Sequence, residues 1–448
     1  MSNNKMTRRD FLRLSAAGSA VALLAGCQAA VPAAPASEGS SGQAPAAQAL
    51  QVTYWGHAFE ERVALDKVYI EKFMEENPDI TVVQETPGEF NTMLPTALAA
   101  GTAGDLFAHS SLYLAEYFRQ DAIIPVQFEA FGMDKAGFLE SYIEPQNTLA
   151  GATFEGELYG IPNEVSIYAL HINNALFEEA GLNPATDYPK TWQEFTTVAE
   201  QLTKRDDSGQ LVQRGAMLGW KTAGVCSNIF GGQLHQLGGS PVSEDYTQSA
   251  IDSPEATQVL EFWKYFSDNG LDGPQYVQDQ AQMLQGDVAM WMNTGSWRRA
   301  GLLDAGIDYT VYPAPRFENA VNDSGFHVYA YFHMVNAQSD PNVQLAAWKL
   351  AAYLDSFPGD YLAQTGLLQT KKEVVESQAY KETPFLNVFL DEMTKSVYAP
   401  TPPGWRQIVD VLDRMRDSIV EGVSIAEAQS TASEEINAVL DEAWKAIA

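Results

Sequence analysis

Apolar residues follow two alternating periods along the body of the chain. Residues 51–56 have strand composition and end at Gly56, and residues 80–83 have strand composition again. Between them, apolar residues recur at the spacing of a helix that ends at Asn77-Pro78: Leu65, Val68, Tyr69 and Phe73. A strand, a helix and a second strand within about thirty residues form a βαβ unit, so this pattern predicts a parallel sheet.

Helix-start signals recur through the rest of the chain. Thr191 and Glu194 have the capping-box spacing, in which the threonine hydroxyl accepts the third amide and the glutamate reaches back. Other predicted helix starts are Asn173-Asn174, Ser253-Pro254, Asp340-Pro341 and residues 424–427. Strands alternate with these helices and no repeat of solenoid period is present. The pattern therefore predicts an α/β fold.

The first 49 residues predict an export signal and a tether. Arg8-Arg9 precedes a short, mildly apolar stretch, which is the arrangement of a bacterial twin-arginine signal. Residues 24–27 (Leu-Ala-Gly-Cys) resemble a lipobox, in which the Cys27 thiol receives a diacylglyceryl group. We expect residues 1–26 to be a removable signal, Cys27 to be the lipid anchor, and residues 27–49, rich in Ala, Pro, Gly and Ser, to be a flexible linker.

The charge balance narrows the choice of partners. The 448 residues include 27 Lys and Arg against 58 Asp and Glu, a formal charge of −31. Loss of residues 1–26 removes four basic residues and one acidic residue, which moves the charge to −34. Such a chain repels phosphate backbones, so nucleic-acid binding is disfavoured and neutral or cationic ligands are favoured. The 2 Cys and 6 His have no zinc-motif spacing, so neither a metal nor another cofactor is expected.

Seven short segments carry a more specific signal. They are residues 70–82, 98–107, 158–162, 176–182, 190–195, 285–290 and 295–297. In this order, they resemble segments of the extracellular solute-binding proteins of bacterial ABC importers, in the carbohydrate-binding group that includes maltose-binding protein. The resemblance runs from about Gln51 to the C-terminus.

The resemblance implies an α/β fold of two lobes, each a mostly parallel sheet flanked by helices, with the ligand in the cleft between them. Lobe 1 would comprise residues 50–160 and 326–372, and lobe 2 residues 161–325 and 373–448. It further implies that hinge closure captures a mono- or oligosaccharide for the permease subunits of an ABC importer. We expect a monomer that its lipid holds in the periplasm or on the outer face of the cytoplasmic membrane.

The nine tryptophans divide into core positions and candidate sugar-binding positions. Five lie on helical or strand-like patterns and are expected in the core: Trp192, Trp263, Trp291, Trp348 and Trp444. The other four lie at a strand end or in predicted loops, where a flat ring can stack on the C–H face of a sugar: Trp55, Trp220, Trp297 and Trp405. Trp297 and Trp405 also resemble the stacking positions of the family.

Polar-tipped side chains accompany these rings. His327, Tyr329, Tyr331 and His333 alternate with apolar residues, so they share one strand face, either in the cleft or on an ordinary solvated surface. The remaining candidate ligand contacts follow predicted strands or the first lobe crossing: His57, Ser110, Ser111 and Glu164. We predict that Tyr329, Tyr331 and these four residues bind the rim of a sugar.

Three functions remain open on the sequence. The leading one is a sugar-binding receptor without catalytic activity. An exported hydrolase or lyase would need two carboxylates roughly 5–10 Å apart, and no nucleophile elbow, metal motif or phosphate loop is present. The same fold binding a phosphorylated polyol would need clustered arginines, for which Arg298-Arg299 beside Trp297 is the candidate pair.

Overall fold

The computed structural model describes residues 49–220, 226–276 and 280–447. The strands of this part are, in chain order, β1 Leu50–Trp55, β2 Ile80–Glu85, β3 Leu106–Ser110, β4 Thr153–Phe154, β5 Glu157–Leu158, β6 Ile161–Ser166, β7 Leu170–Asn173, β8 Lys204–Arg205, β9 Leu211–Gln213, β10 Met290–Trp291, β11 Tyr309–Tyr312 and β12 Tyr329–Val335. The α-helices are α1 Glu60–Glu76, α2 Phe90–Ala100, α3 Ser111–Arg119, α4 Lys135–Glu140, α5 Pro145–Thr148, α6 Asn174–Glu179, α7 Trp192–Leu202, α8 Gly231–Gln236, α9 Pro254–Asp268, α10 Arg299–Asp304, α11 Pro341–Leu354, α12 Pro358–Thr365, α13 Lys372–Val375, α14 Gln378–Glu382, α15 Leu386–Lys395, α16 Trp405–Val420 and α17 Ile425–Ile447.

A five-stranded sheet, in the order β2-β1-β3-β12-β6, forms the centre of the first lobe. β1 runs parallel to β2, with Leu50 opposite Ile80 and Trp55 opposite Glu85. Helix α1 connects these two strands and buries one apolar stripe, which confirms the predicted βαβ unit.

Strand direction changes in the outer half of this sheet. β1 is parallel to both of its neighbours, but β12 is antiparallel to β3 and to β6. The sheet is therefore mixed, and the expected parallel pairing holds for its first three strands. The chain enters β12 after its passage through the second lobe, so β12 begins at the edge where β1 and β3 end and runs in the opposite direction.

A three-stranded sheet, in the order β10-β7-β11, forms the centre of the second lobe. β7 is antiparallel to both neighbours, which corrects the expectation of a mostly parallel sheet in the second lobe. All four residues of β7 are buried. Helices α9, α16 and α17 pack against one another in this lobe. No helix in the described part of the chain is long and apolar enough to cross a membrane.

The predicted helix starts have the expected capping hydrogen bonds. The side chains of Asn173, Ser253 and Asp340 each accept a backbone amide at the start of α6, α9 and α11. At α7 both bonds of the capping box are present: the Glu194 amide donates to Thr191 Oγ1, and the Thr191 amide donates to Glu194 Oε2. The local sequence therefore determines where these helices begin.

The tryptophan sorting holds for four of the five core positions. Trp192, Trp263, Trp291 and Trp348 are fully buried. Trp444 is 40% exposed, which corrects its assignment to the core. It lies in the last turns of α17, where the indole Nε1 donates to the carbonyl of Tyr246 rather than entering an apolar layer.

The capping box yields a stability prediction. Thr191→Ala removes the acceptor of the Glu194 amide, so the free energy of unfolding should fall by about 1 kcal/mol in urea titrations followed by circular dichroism. Thr197→Ala, in the exposed middle of the same helix, is the matched control and should change it by less than about 0.5 kcal/mol. Equal losses in both variants would contradict a capping role.

Candidate functional site

A cavity of about 340 Å³ lies where the edge of the five-stranded sheet faces the second lobe. We call it the interlobe cavity. Six of the residues predicted to bind ligand line it: His57, Ser110, Glu164, Trp297, Tyr329 and Tyr331. These residues are spread over 275 sequence positions, in predicted strand ends and loops. The fold brings them together around one cavity of a size that a small molecule can fill.

Strands β1 and β3 deliver the first two of these residues. His57 follows β1 by two residues, and Ser110 is the last residue of β3. Because β1 and β3 are parallel, their carboxyl ends meet at one edge of the sheet. Ser110 is also the N-cap of α3, since its Oγ accepts the Leu112 amide at 3.4 Å.

Strands β6 and β12 deliver the next three. Tyr331 lies opposite Glu164 in the antiparallel register, and Tyr329 lies opposite Ser166. The register shifts after Tyr331, so the strand pair is irregular directly beside the cavity. The Tyr331 ring also contacts the His57 ring, with 4.1 Å between the ring centroids.

The aromatic wall on the far side comes from the second lobe. Trp297 lies in a 3-10 turn, Ser296–Arg298, and its ring centroid is 6.0 Å from that of Tyr168 and 6.2 Å from that of Tyr329. A Cβ atom on Gly295 would overlap the Trp297 ring, so glycine is needed for this ring to fold back over its own turn. The half-buried indole thus has a fixed position in the cavity wall.

The cavity wall contains buried polar atoms that could accept or donate a further hydrogen bond, and two of them lack a partner in the described part of the chain. They are His57 Nδ1 and Asn228 Oδ1, both fully buried. A buried polar atom without a partner is destabilising by about 1–3 kcal/mol. The cavity therefore offers convergent hydrogen-bonding groups that a polar ligand can satisfy.

Burial sets the protonation states around the cavity. It raises the pKa of the Glu164 carboxyl to about 7, although the Arg62 guanidinium opposes this shift. Burial, together with Arg62, lowers the pKa of His57 to about 4. Burial also raises the pKa of Tyr168 to about 12 and raises those of Tyr329 and Tyr331. Near neutral pH the wall thus has a neutral imidazole, three intact phenols and a carboxyl group close to its titration midpoint.

The structure places two predicted tryptophans away from the cavity wall. Trp55 is 7% exposed and its indole Nε1 donates to Glu85 Oε2 at 2.7 Å. Trp220 is 1% exposed, donates to Asp417 Oδ1 at 2.8 Å and packs edge-on against Trp263. In both cases a carboxylate from a neighbouring element satisfies the indole, which makes burial of the ring favourable.

Two further predicted residues are also outside the wall. Trp405 is 5% exposed because it begins the long helix α16, where the sequence predicted a loop. Ser111 begins helix α3, and its Oγ accepts the amide of Ala330 at 3.2 Å, which ties that helix to β12. The predicted lipidation site, Cys27, lies outside the described residues.

The expected ring face of β12 is only partly in the cavity. Tyr329 and Tyr331 line it, whereas His333 is buried behind it and His327 bonds the carbonyl of Ser227 at 2.7 Å. His333 lies beyond the register shift, against Tyr54, with 3.1 Å between His333 Nε2 and the Tyr54 hydroxyl.

Sequence reasoning named Arg298 only as a candidate for a phosphorylated ligand, and it missed seven other residues of the wall: Phe59, Asn91, Leu112, Tyr113, Tyr168, Asn228 and Leu367. For Tyr168 a signal was present, because Glu164, Ser166 and Tyr168 alternate with buried Val165 and Ile167. Tyr113 comes from helix α3, where the His109 ring stacks on it with 4.3 Å between centroids. No periodic pattern marks Asn228, which lies in the π-helical turn Cys226–Phe230.

Residues 58–356 match the family of bacterial extracellular solute-binding proteins. The chain belongs to this family. A binding protein of Brucella abortus is 25% identical to this solute-binding protein over 371 residues, which cover 78% of this chain and 83% of that protein. The maltotriose-binding protein of Pyrococcus abyssi is 20% identical over 362 residues, which cover 79% of this chain and 74% of that protein.

A solved structure has the same fold. It is an ABC transporter solute-binding protein of Thermotoga lettingae bound with alpha-D-tagatose, with a TM-score of 0.74 and 24% sequence identity. The likeness covers 87% of this chain and 100% of that one. The expected two-lobed periplasmic-binding-protein fold is confirmed.

The raised pKa of Glu164 predicts a pH-dependent stability in this solute-binding protein. The native protein retains a proton on Glu164 up to about pH 7, whereas the unfolded chain releases it near the usual pKa of glutamate. The stabilising contribution is complete below that usual pKa and is lost as the pH rises to about 7. The free energy of unfolding of the wild type minus that of Glu164→Gln should therefore fall by about 3 kcal/mol between about pH 4 and pH 8.

Urea titrations at a series of pH values measure this difference. Taking the difference cancels the buried histidines, whose contributions have the opposite sign. Glu244→Gln removes an exposed carboxylate and is the matched control. A wild-type minus Glu164→Gln difference that is independent of pH would show that Glu164 titrates as a solvated glutamate.

Proposed function

We propose that this chain is an extracytoplasmic receptor that captures one sugar in the interlobe cavity and delivers it to an ABC importer. The observation that carries the proposal is the combination, in one cavity, of a positioned indole and convergent polar groups from both lobes. A sugar has the complementary surface, since its C–H face stacks on a ring and its hydroxyls point outward from the rim.

Different residues of the cavity wall would make different contacts with the sugar. Trp297 supplies the stacking face, and the hydroxyls of Tyr168, Tyr329 and Tyr331 are donors at its edge. His57 Nδ1 and Asn228 Oδ1 are the atoms that gain a partner when a hydroxyl enters. The cavity volume of about 340 Å³ is near the lower end of ligand pockets, roughly 300–1,000 Å³, which favours a mono- or disaccharide.

Hinge closure follows from the division of the wall between the lobes. Ser110, Glu164 and Tyr331 come from the first lobe, and Asn228 and Trp297 come from the second. A ligand that contacts both sets only when the lobes are together shifts the equilibrium toward the closed form. The importer would recognise that closed form.

The lobe boundaries are part of the proposal. The sequence predicts residues 50–160 and 326–372 for the first lobe and residues 161–325 and 373–448 for the second, but we assign β6, Ile161–Ser166, to the first lobe. β6 pairs with β12 inside the five-stranded sheet. This pairing favours a first crossing in the short segment 167–169, between β6 and β7, rather than at Gly160-Ile161-Pro162.

The cavity gives less support to the two alternative functions. Among the described residues of its wall, Glu164 is the one carboxylate, whereas glycoside hydrolysis uses a pair. Arg298 is the one guanidinium among them, whereas a phosphorylated polyol favours several. A receptor without catalytic activity needs neither a second carboxylate nor a second guanidinium in this wall.

Export and anchoring complete the proposal. The Arg8-Arg9 signal would direct the chain across the membrane, and Cys27 would carry the lipid. Expressed in a bacterium, the wild type should label with radioactive palmitate and sediment with membranes, whereas Cys27→Ser should do neither. A wild type that remains in the supernatant without label would contradict the anchor and leave the binding function unaffected.

Sugar binding yields a direct prediction. Calorimetric titration with neutral and aminated mono- and disaccharides should identify at least one ligand, and that ligand should raise the melting temperature. Trp297→Ala should weaken its affinity about tenfold or more, because the stacking face is lost. Trp444→Ala, which removes an exposed indole on α17, is the matched control and should change the affinity less than about twofold.

Turnover of a glycoside by the purified protein would contradict the receptor function. Equal effects of the two tryptophan variants would show that the ligand lies elsewhere in the molecule.

A further inference from the structure

Among the described residues, two buried carboxylates and one buried guanidinium lie close together behind the interlobe cavity. Arg62, Asp66 and Glu164 are all almost completely buried in the first lobe. Arg62 and Asp66, one turn apart on helix α1, have 3.8 Å between Nε and Oδ2. Because these two charges compensate each other, ionised Glu164 adds an uncompensated negative charge to the cluster.

Both members of the Arg62–Asp66 pair have other hydrogen-bond partners. Asp66 accepts hydrogen bonds from the hydroxyls of Tyr54 at 3.0 Å and Tyr361 at 2.6 Å. Arg62 donates to the carbonyl of Asn163 at 2.8 Å, and its guanidinium lies 4.4 Å from the centre of the Tyr361 ring. Arg62 thus acts on Glu164 through space and does not donate a hydrogen bond to it.

Glu164 itself is 4% exposed and lines the cavity. Among the described residues, none donates a hydrogen bond to its carboxylate. Its neighbours are the neutral phenols of Tyr329 and Tyr331 beside it, with Tyr168 and His57 on the same wall. A buried carboxylate with aromatic side chains beside it can bind an ammonium ion through charge and through cation–π attraction.

We propose that the sugar bound by this protein carries an ammonium group, and that this group pairs with Glu164 against the tyrosine faces of the first lobe. This inference rests on the proposed function and specifies the substrate class: an amino sugar rather than a neutral one. The overall charge of −31 also attracts a cationic ligand toward the cavity.

The position of Arg298, a cation among the described residues of the wall, is compatible with this orientation. Arg298 lies in the 3-10 turn Ser296–Arg298 with Trp297, on the second lobe. The cation whose charge affects Glu164 is Arg62, and Arg62 forms its ion pair with Asp66. The amine therefore lies toward the first lobe, and the hydroxyls of the same sugar lie toward Trp297 and Arg298.

Calorimetry at pH 6 with matched ligands tests the inference. The pairs are glucosamine and glucose, galactosamine and galactose, mannosamine and mannose, and the chitosan disaccharide and cellobiose. The N-acetyl forms serve as uncharged derivatives of the same amines. At least one amine should bind about tenfold or more tightly than its neutral partner and its N-acetyl form, as expected for a charge-assisted hydrogen bond.

Proton release provides a second measurement that needs no variant. At pH 6 a sugar amine is charged and Glu164 retains its proton, since burial raises the pKa of Glu164 to about 7. Binding of the ammonium should displace about one proton per site, detected as a dependence of the binding enthalpy on the ionisation enthalpy of the buffer. His57 contributes little, because its pKa is lowered to about 4.

Variants locate the effect. Glu164→Gln should bring the ratio of amine to neutral affinity close to unity, whereas Glu244→Gln, which removes one exposed negative charge, should preserve the ratio. Equal or tighter binding of neutral sugars would overturn the inference and leave the proposed function intact. Binding of choline with no binding of any sugar would overturn both the inference and the proposed function. The same follows if none of the amines and none of the neutral sugars binds.

Discussion

The structure depends on the buried ion pair between Arg62 and Asp66. Its two charges lie on helix α1, but the groups that satisfy them come from β1, β6 and α12: Tyr54, Asn163 and Tyr361. A pair of this kind, fully removed from water, is destabilising by about 3–5 kcal/mol if one partner is lost. Helices and strands that are far apart in sequence are therefore held in one arrangement by the requirement that these charges be compensated.

The electrostatics of the interlobe cavity depend on this ion pair. Asn163 accepts hydrogen bonds from both Arg62 and Gln369, so β6 is held between helix α1 and the segment that follows α12. Glu164 is the next residue along that strand, and it shares the low-dielectric surroundings of the pair without sharing its cation. The same burial that stabilises the fold through apolar contacts thus raises the pKa of this carboxyl and keeps His57 neutral.

The two lobes contribute different chemistry to the cavity. The first lobe contributes a carboxylate, an imidazole and phenols from the ends of its sheet strands, which are rigid. The second contributes an indole, an amide and a guanidinium from a 3-10 turn and a π-helical turn, which are short and irregular. Neither set alone encloses a ligand, so binding and the relative position of the lobes are coupled.

The sequence by itself determined the elements and the class of fold. Capping residues such as Thr191 and Asp340 place helix starts, and the apolar periods place β1, α1 and β2, because these signals act between residues close in the chain. The seven ordered segments were enough to recognise the family. Six of the ten predicted ligand contacts line one cavity. For His57 and Ser110 the reason is a general one, because the carboxyl ends of the parallel strands β1 and β3 share an edge of the sheet.

Only the tertiary structure decided which aromatic rings face that cavity. Trp220 follows Gly219 directly and Trp297 follows Gly295 by two residues, yet Trp220 is buried against Asp417 and Trp297 lines the cavity. The position of Trp220 depends on a partner nearly two hundred residues away in the chain, whereas the position of Trp297 depends on the adjacent turn. The Glu164 carboxylate could likewise not be singled out in a chain with 58 acidic residues. Its lack of a paired cation depends on the ion pair between Arg62 and Asp66, which no local sequence pattern predicts.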